Sequence, residues 1–381
     1  MTSLKNQHFV PQFYLRNFSE DENRKAIRLY NIRGRKVIHR APIKNQCSKD
    51  FFYGQGGVEE ALSSFEGVVS KIIRRMESLG LGCLSVEDRL FLLVFLVLQE
   101  RRTASALEDL RRFEQGINAH IEKSPHKTED LFPTGGLNAV ENILIAFQIY
   151  PSIYDLDWRM LRFKGGHRLI TSDNPVVIYN KAGRQGKLPD SIGLQSAGII
   201  IYFPLSPDSA LLLFDSGIYK LPGNKGGDIR VNRQGDIRNL NMLSACNSLV
   251  NFYFSKDIPF SRNELDLISE LHSRDRWRTD EFVMISEANG IERYRRMKDN
   301  EMPKGTTIVL SGKRSTEFNI TLSFIKYRTN MKYDDTGTGA GVLRDRAMHD
   351  LVDRFQKEVK SGKRRALSFP EYVCEVLRQR T

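Results

Sequence analysis

Three short stretches gather side chains able to do chemistry. The first is His8-Phe9-Val10-Pro11-Gln12-Phe13-Tyr14-Leu15-Arg16-Asn17-Phe18, in which His8, Gln12, Arg16 and Asn17 stand among aromatic residues. If Pro11 opens a helix, His8 lies just before it, and Gln12 and Arg16 share a face by their four-residue spacing. An imidazole, an amide and a guanidinium would then converge on one pocket; the plainer reading is a packed histidine beside a surface arginine. The second stretch, Thr171-Ser172-Asp173-Asn174-Pro175, lies between two strand-like runs, Arg168–Thr171 and Val176–Tyr179. Pro175 pushes Asn174 into an extended conformation and Asp and Asn favour turns, so a carboxylate is expected at a strand end. A simple Asx turn joining the strands is the alternative. The third stretch is Gln99-Glu100-Arg101-Arg102-Thr103, where a long helix changes from apolar to charged. Gln99 and Arg102 would line a pocket at the edge of the core, unless the run is only a solvated helix end. Glu59, Glu60 and Glu66 fall on the preceding helix, and a carboxylate pair facing Gln99 and Arg102 would form a second acid/base centre.

These side chains must be carried by recognisable elements. A short helix is expected after Pro11, and a hairpin over Ile27–Ile38 with its turn at Gly34. From Val58 to Leu79 apolar residues recur at steps of three and four, giving an amphipathic helix closed by Gly80 and Gly82. Ser85 and Asp88 form a cap pair for a long helix running to about Ile121. A Pro- and Gly-containing stretch, Ser124–Gly136, breaks the pattern. A helix over Leu137–Tyr150 and short β-rich runs follow, then a helix over Asp236–Leu249, a strand over Val250–Phe254 and a helix over Asn263–Leu271. Later strands, a Gly-rich loop from Thr336 to Gly341, and basic helices from Val342 to Lys360 and after Ser368 complete the chain. The order predicts an α+β protein: a mainly helical lobe over residues 1–135, a sheet-containing lobe over 136–260 and a mixed region over 261–381.

Composition narrows the partners. The chain has 381 residues, 40% of them hydrophobic, and a formal net charge of +12, which fits a globular protein with an affinity for polyanions, nucleic acid first. Basic and aromatic residues interleave at Arg28–Tyr30, Trp277-Arg278, Tyr294–Arg296, Lys326–Arg328 and Lys332-Tyr333, a pairing suited to phosphate contact and base stacking. The seven histidines show no ligand spacing and the four cysteines form no Cys-x-x-Cys pair, so no metal and no cofactor is expected. The Gly-rich loop lacks the Lys-Ser/Thr that ends a phosphate-binding loop. No signal-peptide pattern opens the sequence, and the longest apolar run, Leu90–Leu98, is too short to cross a bilayer, so a cytoplasmic protein is expected.

The motif around His8, together with Phe51-Phe52-Tyr53, Gln99 with Arg102-Thr103, Thr171–Pro175 and Phe203-Pro204-Leu205-Ser206-Pro207, resembles a large bacterial family catalogued as a domain of unknown function. The likeness in order and spacing spans roughly residues 8 to 255, with one departure: relatives often carry two successive histidines where this chain has Gln7 before His8. The resemblance implies kinship with anti-phage proteins, among them a DNA glycosylase that removes glucosylated cytosine from phage genomes. On that footing the chain is expected to be a metal-independent DNA glycosylase that flips a modified base from duplex phage DNA. Asp173 would activate water and stabilise the oxocarbenium-like cation, and His8 would assist the leaving base or bind phosphate. Asn174 and Gln12 would read the base, Arg16 and Arg102 would hold phosphates, and Asn17 and Gln99 would complete the binding surface. The alternatives are a metal-dependent nuclease or phosphodiesterase, and a non-catalytic nucleic-acid binder.

Overall fold

The computed structural model describes residues 5–19, 21–55, 57–121, 138–164, 168–288, 291–298, 301, 307–336 and 341–378. The Gly-rich loop at Thr336–Gly341 falls largely outside the described residues, as does the break at Ser124–Gly136. Among the described residues no helix is long and apolar enough to cross a membrane.

The chain begins with β1 (Asn6–His8), and Pro11 then starts the short helix α1 (Gln12–Leu15), as its fixed φ and absent N–H favour. The hairpin follows as β2 (Ala26–Asn31) and β3 (Lys36–Pro42), and β4 (Ser48–Asp50) returns to pair with β1. Next comes α2 (Val58–Leu79), closed by Gly80, whose φ of 79° suits a residue without a Cβ. Ser85 caps α3 (Val86–Arg101) through a reciprocal pair of hydrogen bonds with Asp88. Leu92 to Gln99 are all buried, so this helix is apolar around its circumference because it is surrounded by protein.

The expected single helix through Ile121 is two helices. At Arg102 the backbone leaves helical geometry (ψ 0°), and the Thr103 hydroxyl accepts the Ala106 N–H at 3.1 Å, capping a new helix, α4 (Ala104–Ile121). A threonine hydroxyl in competition with the helical backbone is the local cause. α5 (Ala139–Ile149) follows, capped by Asn138.

The second half opens with β5 (Asp157–Phe163), β6 (Thr171–Ser172), β7 (Val177–Asn180), the one-turn helix α6 (Lys181–Arg184), β8 (Ile199–Ser206) and β9 (Ser209–Phe214). It continues with β10 (Tyr219–Lys220), β11 (Asp228–Val231), α7 (Gln234–Asn247), β12 (Asn251–Phe254) and α8 (Arg262–Ser273). The last part holds β13 (Trp277–Ala288), β14 (Ile291–Arg296), β15 (Thr307–Lys313), β16 (Lys326–Tyr327), β17 (Asp334–Asp335), β18 (Val342–Leu343), α9 (Arg346–Lys360) and α10 (Phe369–Arg378). The helix expected from Val342 thus starts at Arg346, because Val342 and Leu343 pair with β17 and the Asp345 carboxylate caps the helix through the Met348 N–H.

Among the described residues three sheets have three or more strands, β11-β5-β9-β8-β7, β3-β2-β12-β6 and β14-β13-β15, beside the two-stranded pairs β1-β4, β10-β16 and β17-β18. The fold class is α+β, as expected. The second sheet joins the N-terminal hairpin to β12 through pairs such as Tyr30 with Phe252, so pairing links residues 1–135 to residues 136–260. One core cluster likewise runs from Val10, Tyr14 and Phe18 through α2 and α3 to Phe203 on β8 and Phe355 on α9.

Candidate functional site

The Thr171–Pro175 motif is where the chain crosses between two sheets. Thr171 and Ser172 pair with β12, and Pro175 ends that ladder before β7 joins the other sheet. Asp173 is buried here. Its carboxylate accepts the backbone N–H groups of Leu249 at 2.7 Å, Val250 at 2.8 Å and Asn251 at 2.9 Å. Burial pushes its carboxyl up from the ordinary value, and those three donors oppose the shift. Asn174 is equally engaged: its Nδ2 donates to the Asn247 carbonyl and its Oδ1 accepts from the Thr103 hydroxyl, while Asn247 Nδ2 donates back to the Asn174 carbonyl. Both side chains are buried and hold the crossing together, which is the simple turn taken to its limit.

The N-terminal motif and the α3 terminus do meet. Arg102 is fully buried and every nitrogen of its guanidinium is used: Nε and Nη2 donate to Gln99 Oε1 at 2.9 and 2.7 Å, and Nη1 donates to Glu66 Oε1 at 2.6 Å. Gln99, also fully buried, donates its Nε2 to the Phe9 carbonyl at 3.0 Å. Arg102 and Gln99, expected to hold phosphate and substrate, have protein partners here. Enclosed and bonded within the protein, the two fix Glu66 and the His8 strand in place.

Around this buried pair lies a partly exposed set of ionisable groups. The His8 backbone N–H donates to Glu59 Oε1 at 3.3 Å, and the His8 ring places Nε2 3.2 Å from the Lys44 carbonyl. Because a carbonyl only accepts, Nε2 carries the proton and Nδ1 is the basic nitrogen of the neutral ring. Burial lowers the His8 pKa, with the Lys44 carbonyl and Glu66 opposing, and Arg102 and Arg16 reinforcing it. Burial raises the Glu59 pKa, opposed by the His8 N–H, with the Glu66 charge adding to the rise. Glu59 Oε2 is shut off from solvent without a hydrogen-bond partner among the described residues. Arg16 is exposed and donates to Gln12 Oε1 at 3.1 Å, so those two share a face as their spacing requires. Asn17 instead ties the motif to β8 through the Leu205 carbonyl, 3.0 Å from its Nδ2.

The site thus gathers His8, Gln12 and Arg16 with Glu59 and Glu66, above Gln99 and Arg102. Two further side chains support the cluster. Tyr53 donates its hydroxyl to the His8 carbonyl at 3.3 Å. Gln7, the departure from the double histidine, is buried with its amide spanning the Tyr53 N–H and the Gly54 carbonyl. Among the described residues no group of three or more His, Cys, Asp or Glu side chains is placed to hold a metal ion. Chemically the arrangement offers a carboxyl with a raised pKa, a carboxylate held by a buried guanidinium, and a neutral imidazole beside them.

No curated protein and no solved structure matches the chain. Residues 6–258 match the family described as "Protein of unknown function (DUF4238)", a span holding every residue of the cluster, and the chain belongs to that family.

Proposed function

We propose that the protein is a hydrolase of glycosyl bonds in DNA, with its chemistry centred on Glu59, Glu66 and His8. The observation that carries this reading is the contrast between two carboxyl groups on one helix. Glu59 has a buried, unpartnered oxygen and a raised pKa, whereas Glu66 is anchored on the enclosed Arg102. Two carboxyls in such unlike surroundings can divide the acid and carboxylate roles of glycosyl-bond cleavage. Glu59, protonated, gives its proton to the departing base; the Glu66 carboxylate stabilises the sugar cation; His8 Nδ1 takes the proton of the attacking water. Arg16 is the exposed cation for a phosphate, and the net charge of +12 favours the polyanion as a whole. Asp173 is relieved of the water-activating role, since its carboxylate is occupied by backbone.

The test is incubation of the purified protein with duplex DNA containing either cytosine or glucosyl-hydroxymethylcytosine, followed by alkali to reveal abasic sites. Release from the modified duplex, unchanged by EDTA and lost in Glu59→Gln, is the expected result. Absence of release from both duplexes overturns the reading, and strand cleavage abolished by EDTA replaces it with a metal-dependent nuclease.

A further inference from the structure

Residues 23–49 hold nine lysines and arginines and no aspartate or glutamate, a charge equal to three quarters of the chain's net +12. The stretch folds as the β2–β3 hairpin and the turn that leads into β4. Among the described residues β3 is the outer strand of its sheet. Lys25, Arg33, Lys36, Arg40, Lys44 and Lys49 are exposed, and none of the six forms an ion pair among the described residues. Three acids close by are already engaged: Asp21 accepts the Lys25 backbone N–H, Asp50 pairs with Lys5, and Asp266 pairs with Arg35.

Like charges on paired strands repel, so a row of uncompensated cations is unfavourable until a polyanion lies along it. From Lys36 to Pro42, β3 runs about 20 Å at ~3.4 Å per residue, the axial length of about six base pairs of duplex. One end of the row reaches the candidate site. The Lys44 carbonyl accepts the His8 ring N–H, and Lys49 stands opposite Gln7 where β4 pairs with β1. α1, which carries Arg16, packs against the turn at Ile43–Asn45. Tyr30 is the one Phe, Tyr or Trp of the stretch, and it is buried against Phe252 with ring centroids 5.1 Å apart. It offers no platform for an unpaired base, contrary to the expectation drawn from Arg28–Tyr30. Cations without a stacking platform suit the phosphates of a duplex, whose bases are already paired, better than a single strand.

We propose that the β2–β3 hairpin and the turn into β4 form the surface on which a DNA duplex lies, its phosphates along the row of cations and its path leading to the His8 cluster. The inference rests on the reading of that cluster as a site acting on DNA and adds to it where the duplex is held. Binding here is independent of sequence and requires no bond to break. Arg33 and Arg40 supply planar forks for phosphate oxygens, and the lysines supply mobile point charges between them.

Fluorescence anisotropy of a labelled, unmodified duplex titrated with the full chain tests it, between about 50 and 200 mM salt. Changing Arg33→Gln, Lys36→Gln and Arg40→Gln together should weaken binding by about tenfold or more and lower the slope of log Kd against log salt by about two to three. Changing Lys360→Gln, Lys363→Gln and Arg365→Gln together removes the same charge from exposed side chains on and after α9, and should stay within about threefold of the parent. In the parent itself, bound duplex should protect Lys36 and Lys44 from acetylation by acetic anhydride and leave Lys360 reactive, whether or not the variants fold. Hairpin-dependent binding without base release from glucosylated duplex upholds this surface and removes the catalytic reading. Base release with equal weakening in both triple variants, or with Lys36 unprotected, overturns the surface and leaves the chemistry standing. Tighter binding of a single strand of the same length, or hairpin-dependent binding of phosphatidylserine vesicles in place of duplex, also overturns it.

Discussion

Arg102 donates to Glu66 across 2.6 Å with its own side chain wholly closed to solvent. Its charge is therefore compensated from inside the protein, by one carboxylate and by the Gln99 amide oxygen. Breaking such a pair leaves a partly buried carboxylate and a buried amide oxygen without partners, at about 3–5 kcal/mol. Arg102→Met is expected to lower the unfolding free energy from urea titration by that amount. Arg102→Lys keeps the charge but not the fork geometry and should fall between parent and Met. Two variants within 1 kcal/mol of the parent would refute the anchoring role.

Glu59 gives a prediction with a sign in pH. Burial raises its folded-state pKa, so between the ordinary carboxyl pKa and the raised value the folded protein holds more protons than the unfolded chain. Stability from this group is fully present below the unfolded pKa and declines as pH rises through the folded one. Glu59→Gln removes the ionisation. It should match the parent in urea unfolding near pH 4 and gain on it by pH 8, while base release is lost. A variant that becomes less stable relative to the parent as pH rises refutes the assignment.

His8 works in the opposite direction. Its pKa is lowered, so above its ordinary value the ring is neutral in both states, and acidification through that value favours the unfolded chain. Base release should accordingly fall at the acid end as Nδ1 is protonated and at the alkaline end as Glu59 ionises. A profile of kcat/KM against pH for the parent and His8→Gln checks this. The variant should lose the acid limb, and an acid limb that persists with undiminished rate removes His8 from the chemistry.

Local chemistry was legible wherever cause and effect lie within one turn of chain. The Ser85–Asp88 cap, the α2 face and its stop at Gly80, and the shared face of Gln12 and Arg16 all follow from spacing. That carboxylates among Glu59, Glu60 and Glu66 would face Gln99 and Arg102 was one of two readings open to the sequence, and the bond itself runs from Arg102 to Glu66. The role of Asp173 was not legible, because its three partners at Leu249–Asn251 are brought there by β6 pairing with β12. The bond between Thr103 and Asn174 was likewise hidden, since a charged helical run has the same periodicity on either side of a break. Nor does local pattern put Trp277 beside Asp109; that contact depends on β13 and β15 packing against α4.

Asp173 separates architecture from catalysis. Asn in its place retains one acceptor but turns an N–H group toward backbone donors, losing charge-assisted bonds to Leu249, Val250 and Asn251. Asp173→Asn should cost about 3 kcal/mol in urea unfolding, and base release per folded molecule should persist. A stable but inactive Asp173→Asn would return this carboxylate to the chemistry.

Thr103 bonds in two directions at once. Its hydroxyl caps α4 through the Ala106 N–H and also donates to Asn174 at 3.3 Å, so one side chain links the α3 terminus to the crossing between sheets. Val matches its shape without the hydroxyl, and the lost cap alone costs about 0.5–2 kcal/mol. The carbonyl of Thr103 still accepts the Leu107 N–H, so α4 should persist but open more readily at its first turn. Arg102, which holds Glu66, stands one residue upstream of this break, so loosening it should disturb the cluster around Glu66 and His8. Thr103→Val is thus expected to speed hydrogen exchange at Ala106 and to weaken base release, with Thr103→Ser restoring both. Faster exchange with base release intact would show that the break between α3 and α4 serves stability alone.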